Sequence, residues 1–313
     1  MLKRATWWLP RAETHLSLAL AGRGGEVWRW TVMGGVRRIP EEVGMALLVV
    51  LAPSLYLGIG LAPTVYVLKH LQPAAWVEWS AYLNPSEGED AAYGVCVFGD
   101  YVVAAGEAGG RPYAVMLGRG GAVAREWVGG GPGALYNCAS AGKRVYAVGV
   151  ENGSGVIYVF DKRLNLVARV EGAAGSAYLS AAYDVRSLYV AGWAGEDVDG
   201  DGAVERVWLV ERRAPDDLSV VSARRFWFGP WKEGWVLDVG VDVSTGMVWA
   251  VGFYVDAGGV EQPLVVVFNR DLEVLKVIGG PEGGGLPLGR LYSVVFDGGW
   301  HVYVSGEGGV AMF

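Results

Sequence analysis

The segment Asp197-Val198-Asp199-Gly200-Asp201-Gly202-Ala203-Val204-Glu205 has the residue types and the spacing of a hard-cation site. Carboxylates stand at loop positions 1, 3 and 5, glycine at position 6 and an acid at position 9. Short loops converge oxygen ligands on Ca2+ in this way. Gly202 permits the sharp turn, and the Ala203 carbonyl takes the position-7 place. An EF-hand would need a bidentate Glu at position 12 and flanking helices; Trp208 stands there, and no helical pattern flanks the loop. The expectation is a structural Ca2+ held by Asp197, Asp199, Asp201, Ala203 and Glu205. The alternative is a solvated acidic loop whose charges repel one another.

Phe226-Trp-Phe-Gly-Pro-Trp-Lys-Glu-Gly-Trp235 is a second candidate. If exposed, Trp227, Trp231 and Trp235 form an aromatic platform for a sugar or a protein surface. If packed, they fill space between neighbouring elements. Asp238 is the one acid well inside an expected inner strand, where other copies hold Asn137 and Ser293. Glycoside hydrolysis needs two carboxylates about 5–9.5 Å apart. His15, His70 and His301 are scattered, and no G-x-S-x-G, H-E-x-x-H or P-loop occurs. The glycine runs at 129–133 and 279–285 lead into strands, so they present no helix N-terminus to a phosphate.

The elements that position these residues are read from a repeat. One pentapeptide recurs as VVAAG (102–106), VYAVG (145–149), LYVAG (188–192), VWAVG (248–252) and VYVSG (302–306). Each copy is a β-branched and aromatic strand ending in glycine. A strand and a short turn precede each copy, and a loop and a third strand follow it. A fourth strand follows in four copies: AVAREW, LVARVE, SVVSARRF and EVLKVI. Spacings of 43, 43, 60 and 54 residues between the glycines suit four-stranded propeller blades. Counting predicts an all-β, five-bladed β-propeller over residues 76–313. The fifth copy stops after its third strand, and Trp76–Leu83 is expected to close that blade from the other end.

The pattern of a turn, VYVxG, a loop, V-x-F-D and a last strand resembles the SBBP-type and delta-60-type propeller repeats, with Val145–Glu171 the best match. That resemblance implies the fold and no particular catalytic residues. The acidic loop is similar to the D-x-D-x-D-G hairpin loops of integrin-type propellers. It would lie on the same face as the Trp227–Trp235 connection.

Composition limits the rest. The chain has 313 residues, is 52% hydrophobic and carries 49 glycines and 14 tryptophans, which excludes disorder. Residues 1–73 carry eight Lys/Arg and four Asp/Glu, a balance of +4; the remainder carries 18 and 29, a balance of −11. An acidic body argues against nucleic acid as a partner. Val43–Leu68 has no charged side chain over 26 residues, enough to span a bilayer as a helix or signal anchor. Arg29, Arg37 and Arg38 precede it, which places residues 1–42 in the cytoplasm as a tail or an over-extended start. Residues 69–75 form a linker, and the propeller stands outside the cytoplasm. Cys96 and Cys138 read as buried thiols, a disulfide being the alternative. Two glutamines and five asparagines fit a thermophilic source or GC-rich coding. The leading expectation is a membrane-anchored binding module for a protein or glycan on the propeller's top face. A glycan-active hydrolase or lyase around Asp238 and an envelope-complex assembly factor are the alternatives.

Overall fold

Alternating apolar strands that end in glycine must bury one face and turn sharply, and in a computed structural model they do. It describes residues 17–21, 27–31, 80–227, 232–280, 285–298 and 301–313. The chain divides into two compact units, Met1–Glu78 and Trp79–Phe313. In the first, β1 (Ser17–Ala21) and β2 (Val27–Thr31) form an antiparallel hairpin, Ala21 opposite Val27. The apolar run Val43–Leu68 lies outside the described residues, as do the linker 69–75 and Trp231. No helix among the described residues is long and apolar enough to cross a membrane.

The second unit consists of five antiparallel sheets in chain order, the five-bladed β-propeller that the repeat implies. The first contains β3 (Asp90–Phe98), β4 (Tyr101–Ala108), β5 (Arg111–Leu117) and β6 (Val123–Val128). The second contains β7 (Gly133–Ala141), β8 (Arg144–Glu151), β9 (Ser154–Phe160) and β10 (Leu166–Ala174). The third contains β11 (Ser176–Tyr183), β12 (Leu188–Glu196), β13 (Glu205–Arg213) and β14 (Val220–Phe226). The fourth contains β15 (Glu233–Val241), β16 (Val248–Val255), β17 (Glu261–Phe268) and β18 (Val274–Gly279). The fifth has three strands among the described residues: β19 (Leu291–Phe296), β20 (Val302–Gly306) and β21 (Gly309–Met312). Each inner strand packs on the next, β3 on β7, β7 on β11, β11 on β15 and β15 on β19.

Each pentapeptide is a second strand, and its terminal glycine has a steric cause. A Cβ on Gly106, Gly149, Gly192 or Gly252 would come within 1.9–2.0 Å of a carbonyl oxygen of the inner strand, that of Ala91, Ala134, Ala177 or Trp235. Immediately beyond each of these contacts the inner strand carries a β-bulge, at Tyr93, Tyr136, Leu179 and Leu237, with Tyr292 in the same place in the fifth sheet. A bulge bends the strand and raises its twist. The glycine lets the two backbones approach closely there.

Apolar cores fill the spaces between sheets. Val103, Ala105 and Met116 meet Leu135, Val145 and Tyr158. Tyr146, Val148 and Ile157 meet Tyr178, Leu188 and Val190. Tyr189, Ala191 and Val210 meet Val236, Val248 and Ala250. Trp249, Val251 and Val265 meet Leu291, Val294 and Val302. The turn after the third strand buries a leucine in the left-handed region: Leu164 at φ 59°, Leu218 at 61° and Leu272 at 63°, each 4% exposed or less. Gly121 holds that place in the first sheet.

One expectation is corrected and another lies largely outside the described residues. Ser80–Leu83 form no strand, and Leu83 packs against the cluster of Ala104, Tyr113 and Val115 on the first sheet. Trp76–Trp79 lie outside the described residues. Cys96 and Cys138 are not two thiols. They are bridged across the first and second inner strands, with their Cα atoms 5.7 Å apart.

Candidate functional site

Two groups of side chains have functional geometry, one inside the ring of inner strands and one at its loop end. The residue after each bulge occupies an equivalent position: Gly94, Asn137, Ser180, Asp238 and Ser293. The last four form a hydrogen-bonded chain from sheet to sheet. Asn137 Nδ2 donates to Ser180 Oγ at 3.3 Å, and Ser180 Oγ donates to Asp238 Oδ1 at 2.6 Å. From the other side Ser293 Oγ donates to Asp238 Oδ2 at 3.0 Å. The backbone amides of Val239 and Val294 add donors at 3.0 and 2.9 Å. Burial pushes the Asp238 carboxyl above the ordinary aspartate range, against the opposing pull of these donors. Asp238 therefore acts as a structural acceptor tying the third, fourth and fifth sheets, and its hydrogen-bond partners are hydroxyls and amides.

At the loop end, the β12–β13 connection brings carboxylate oxygens of Asp197, Asp199 and Glu205 within 4.8 Å of one another. The loop is shaped by its own acids. Asp197 accepts from the Gly200 and Gly202 amides at 2.8 and 3.2 Å, Asp199 accepts from Asp201 N at 3.1 Å, and Glu205 accepts from Val198 N at 3.2 Å. Gly200 and Gly202 take φ of 78° and 87°, which L side chains rarely adopt. Asp201 stands outside the cluster, and its carboxylate accepts from Ala203 N at 2.7 Å.

The next residue, Arg206, places its guanidinium 4.9 Å from the ring centre of Trp193 and 5.1 Å from that of Trp235, and donates to Glu233 at 3.3 Å. Trp235 is thus brought beside the acidic loop. Trp227 is half-buried and packs against the cores between the second, third and fourth sheets. The Trp193–Arg206–Trp235 stack was missed in the sequence. Its signal, an aromatic residue facing Arg206 from each of two sheets, depends on register and not on spacing.

A third polar cluster lies between the first and second sheets. Glu151, only 4% exposed, accepts from Tyr158 Oη at 2.6 Å, Arg169 Nη2 at 2.7 Å and Gly131 N at 3.0 Å. Burial and the Glu151 carboxylate push the Tyr158 phenol up to about 12. Trp127 packs on Tyr158 with ring centres 4.5 Å apart and planes tilted by 56°, beside an open groove.

No family model and no curated protein matches this chain. Among solved structures it is similar to the Neurospora crassa Pan2 WD40 domain, with 10% identity and a TM-score of 0.44, over 70% of this chain and 60% of that one. It is also similar to the Dos1 propeller (11%, 0.42, 71% and 67%) and to the Myceliophteria thermophila Cps50 (Swd1) β-propeller domain (11%, 0.43, 69% and 62%). The chain thus spans about three fifths of the length of the Pan2 and Cps50 domains. At these identities and scores the likeness says nothing of activity.

Proposed function

We propose that this chain is a membrane-anchored, extracytoplasmic binding module whose third-sheet loop takes a structural Ca2+. The observation that carries the reading is the loop end of the third and fourth sheets. There Asp197, Asp199 and Glu205 converge beside an arginine held between two tryptophans. The donor set is all oxygen, which suits a hard cation. A bound Ca2+ would neutralise three clustered carboxylates, and Arg206 with its aromatic neighbours would offer a rigid, partly exposed recognition surface for a protein or glycan.

The Cys96–Cys138 bridge supports the address, because disulfides persist in oxidising compartments. The uncharged run Val43–Leu68 supports the anchor. The glycan-hydrolase reading is disfavoured by Asp238, whose carboxylate is occupied by four structural donors.

Thermal unfolding with and without Ca2+ tests the loop. A site with Kd near about 1 mM gains about 1.4 kcal/mol at about 10 mM ion, raising Tm by roughly 3–5 °C. Asp199→Asn should abolish that rise. A wild-type midpoint that does not differ between chelator and Ca2+ removes the metal from the proposal.

A further inference from the structure

The third sheet carries a unit of glutamate, arginine and tyrosine that is closed on itself. Glu211, Arg213 and Tyr178 are 8%, 4% and 0% exposed. Arg213 donates to Glu211, to Tyr178 Oη and to the Leu218 carbonyl, so each of its nitrogens is engaged. Glu151, Tyr158 and Arg169 of the second sheet have the same composition but are open at one end. Arg169 turns Nε and Nη2 to Glu151, Tyr158 and Glu171, while Nη1 has no partner among the described residues. Its side chain is 32% exposed. Glu151 Oε1 accepts from Gly131 N alone.

The open end faces a groove of about 650 Å3 between the first and second sheets. That volume lies within the range of about 300–1,000 Å3 usual for small-molecule sites. The lining comes from residues 127–169, inside the continuously described stretch 80–227. Trp127 forms one wall and Leu166 adds apolar surface. The residues in the place of Trp127 in the other complete sheets are Val170, Arg224 and Ile278, so the aromatic wall belongs to this groove. The Trp127 indole N–H has no hydrogen-bond partner among the described residues and is not buried. The Asn152 amide completes the rim, and Gly131 makes room for it. A Cβ on Gly131 would sit 2.5 Å from Asn152 Oδ1, although the Gly131 backbone is not left-handed.

Charge narrows the ligand. Two carboxylates, Glu151 and Glu171, pair with the one guanidinium, so this cluster is net negative and disfavours a carboxylate, sulfate or phosphate. An aromatic wall with hydrogen-bonding groups of both kinds and no attraction for anions suits a neutral polyhydroxylated ring. We infer that the groove between the first and second sheets binds a neutral sugar residue of a glycan. The sugar lays a C–H face on Trp127 and sets its hydroxyls on Arg169 Nη1, the Asn152 amide and Glu151 Oε1. This inference rests on the reading as a binding module and gives it a ligand class and a surface apart from the acidic loop.

The test uses the full chain in a detergent without a sugar headgroup. The probes are the methyl α- and β-glycosides of glucose, galactose, mannose and N-acetylglucosamine, with methyl β-glucuronide as the anionic arm. Saturation-transfer NMR should show at least one neutral glycoside bound. The indole N–H cross-peak that is missing from Trp127→Phe should shift saturably with that glycoside. Asn152→Gly removes the amide from a residue at φ 53°, a conformation glycine adopts freely, and should weaken binding about tenfold. Gly131→Ala, which displaces the same amide, serves as the second variant. Unchanged circular dichroism is required of both.

No saturation transfer to any neutral glycoside overturns the inference, as does unchanged affinity in the folded Asn152 variant. Tighter binding of the glucuronide than of the parent glucoside overturns the charge reasoning and the neutral ligand with it. Binding kept in Asn152→Gly but lost in Arg206→Ala assigns the sugar to the acidic-loop end and also overturns the groove. The Ca2+-dependent rise in Tm should persist in Asn152→Gly, so the groove and the metal loop fail separately.

Discussion

Replacing Asp238 by alanine tests whether the chain of residues behind the bulges holds the sheets together. The carboxylate accepts four hydrogen bonds, two from serine hydroxyls of the third and fifth sheets and two from backbone amides. In Asp238→Ala the hydroxyls can turn to other acceptors, and Val239 N keeps Ser180 Oγ at 3.2 Å. Val294 N loses the acceptor it has at 2.9 Å. An orphaned buried donor costs about 1–3 kcal/mol, and a hydrogen bond to a charged group contributes about 1.5–3 kcal/mol. Relief of a desolvated charge offsets part of this, leaving a net loss of about 2–4 kcal/mol. For a domain of this size the drop in Tm is on the order of 10 °C.

Urea unfolding at pH 7 followed by tryptophan fluorescence measures it, with Ser180→Ala and Ser293→Ala expected to cost about 1 kcal/mol each. The pH dependence has a definite sign. The folded carboxyl is raised above its unfolded value, so the unfolded chain releases its proton first as pH rises from about 4. Stability from this group is therefore fullest in acid and declines as pH climbs toward the folded value. Asp238→Asn should flatten that slope. If Asp238→Ala lies within about 0.5 kcal/mol of wild type, or shows no coupling to Ser180→Ala, the tie between sheets is not there.

Removing the disulfide by Cys96→Ala with Cys138→Ala opens a 42-residue separation, which the chain-entropy relation converts to about 4 kcal/mol. Urea unfolding of that double variant beside the oxidised wild type measures it, and a loss under about 1 kcal/mol would contradict the bridge's role. Leu272→Ala leaves a left-handed backbone while deleting a fully buried side chain, and should cost about 2–5 kcal/mol in the same assay. Leu272→Gly relieves the φ strain and should recover part of what Leu272→Ala loses.

The fold was legible because its punctuation is steric. The glycine closing each pentapeptide stands where any side chain would strike an inner-strand carbonyl, so the same residue recurs in every sheet. The acidic loop was legible because its chemistry is local: Asp197, Asp199 and Glu205 reach one another within nine residues. The other features depend on register. Asn137, Ser180 and Ser293 are ordinary residues until the bulges align them with Asp238. Cys96 and Cys138 occupy positions offset by one residue between adjacent strands, which spacing alone does not show to be in contact.

Gly94 has a consequence for how the ring comes apart. It is the one position behind a bulge with no side chain to offer, and a Cβ there would sit 2.6 Å from the Tyr136 carbonyl oxygen. The ladder that runs from Asn137 to Ser293 therefore has no rung between the first and second sheets, and at that junction the chain carries its covalent bond instead. The fastening changes kind along the described sheets: sulfur stitches the first to the second, and hydrogen bonds lace the second through the fifth. While the stitch holds, opening of the hydrogen-bonded junctions cannot part the first two sheets.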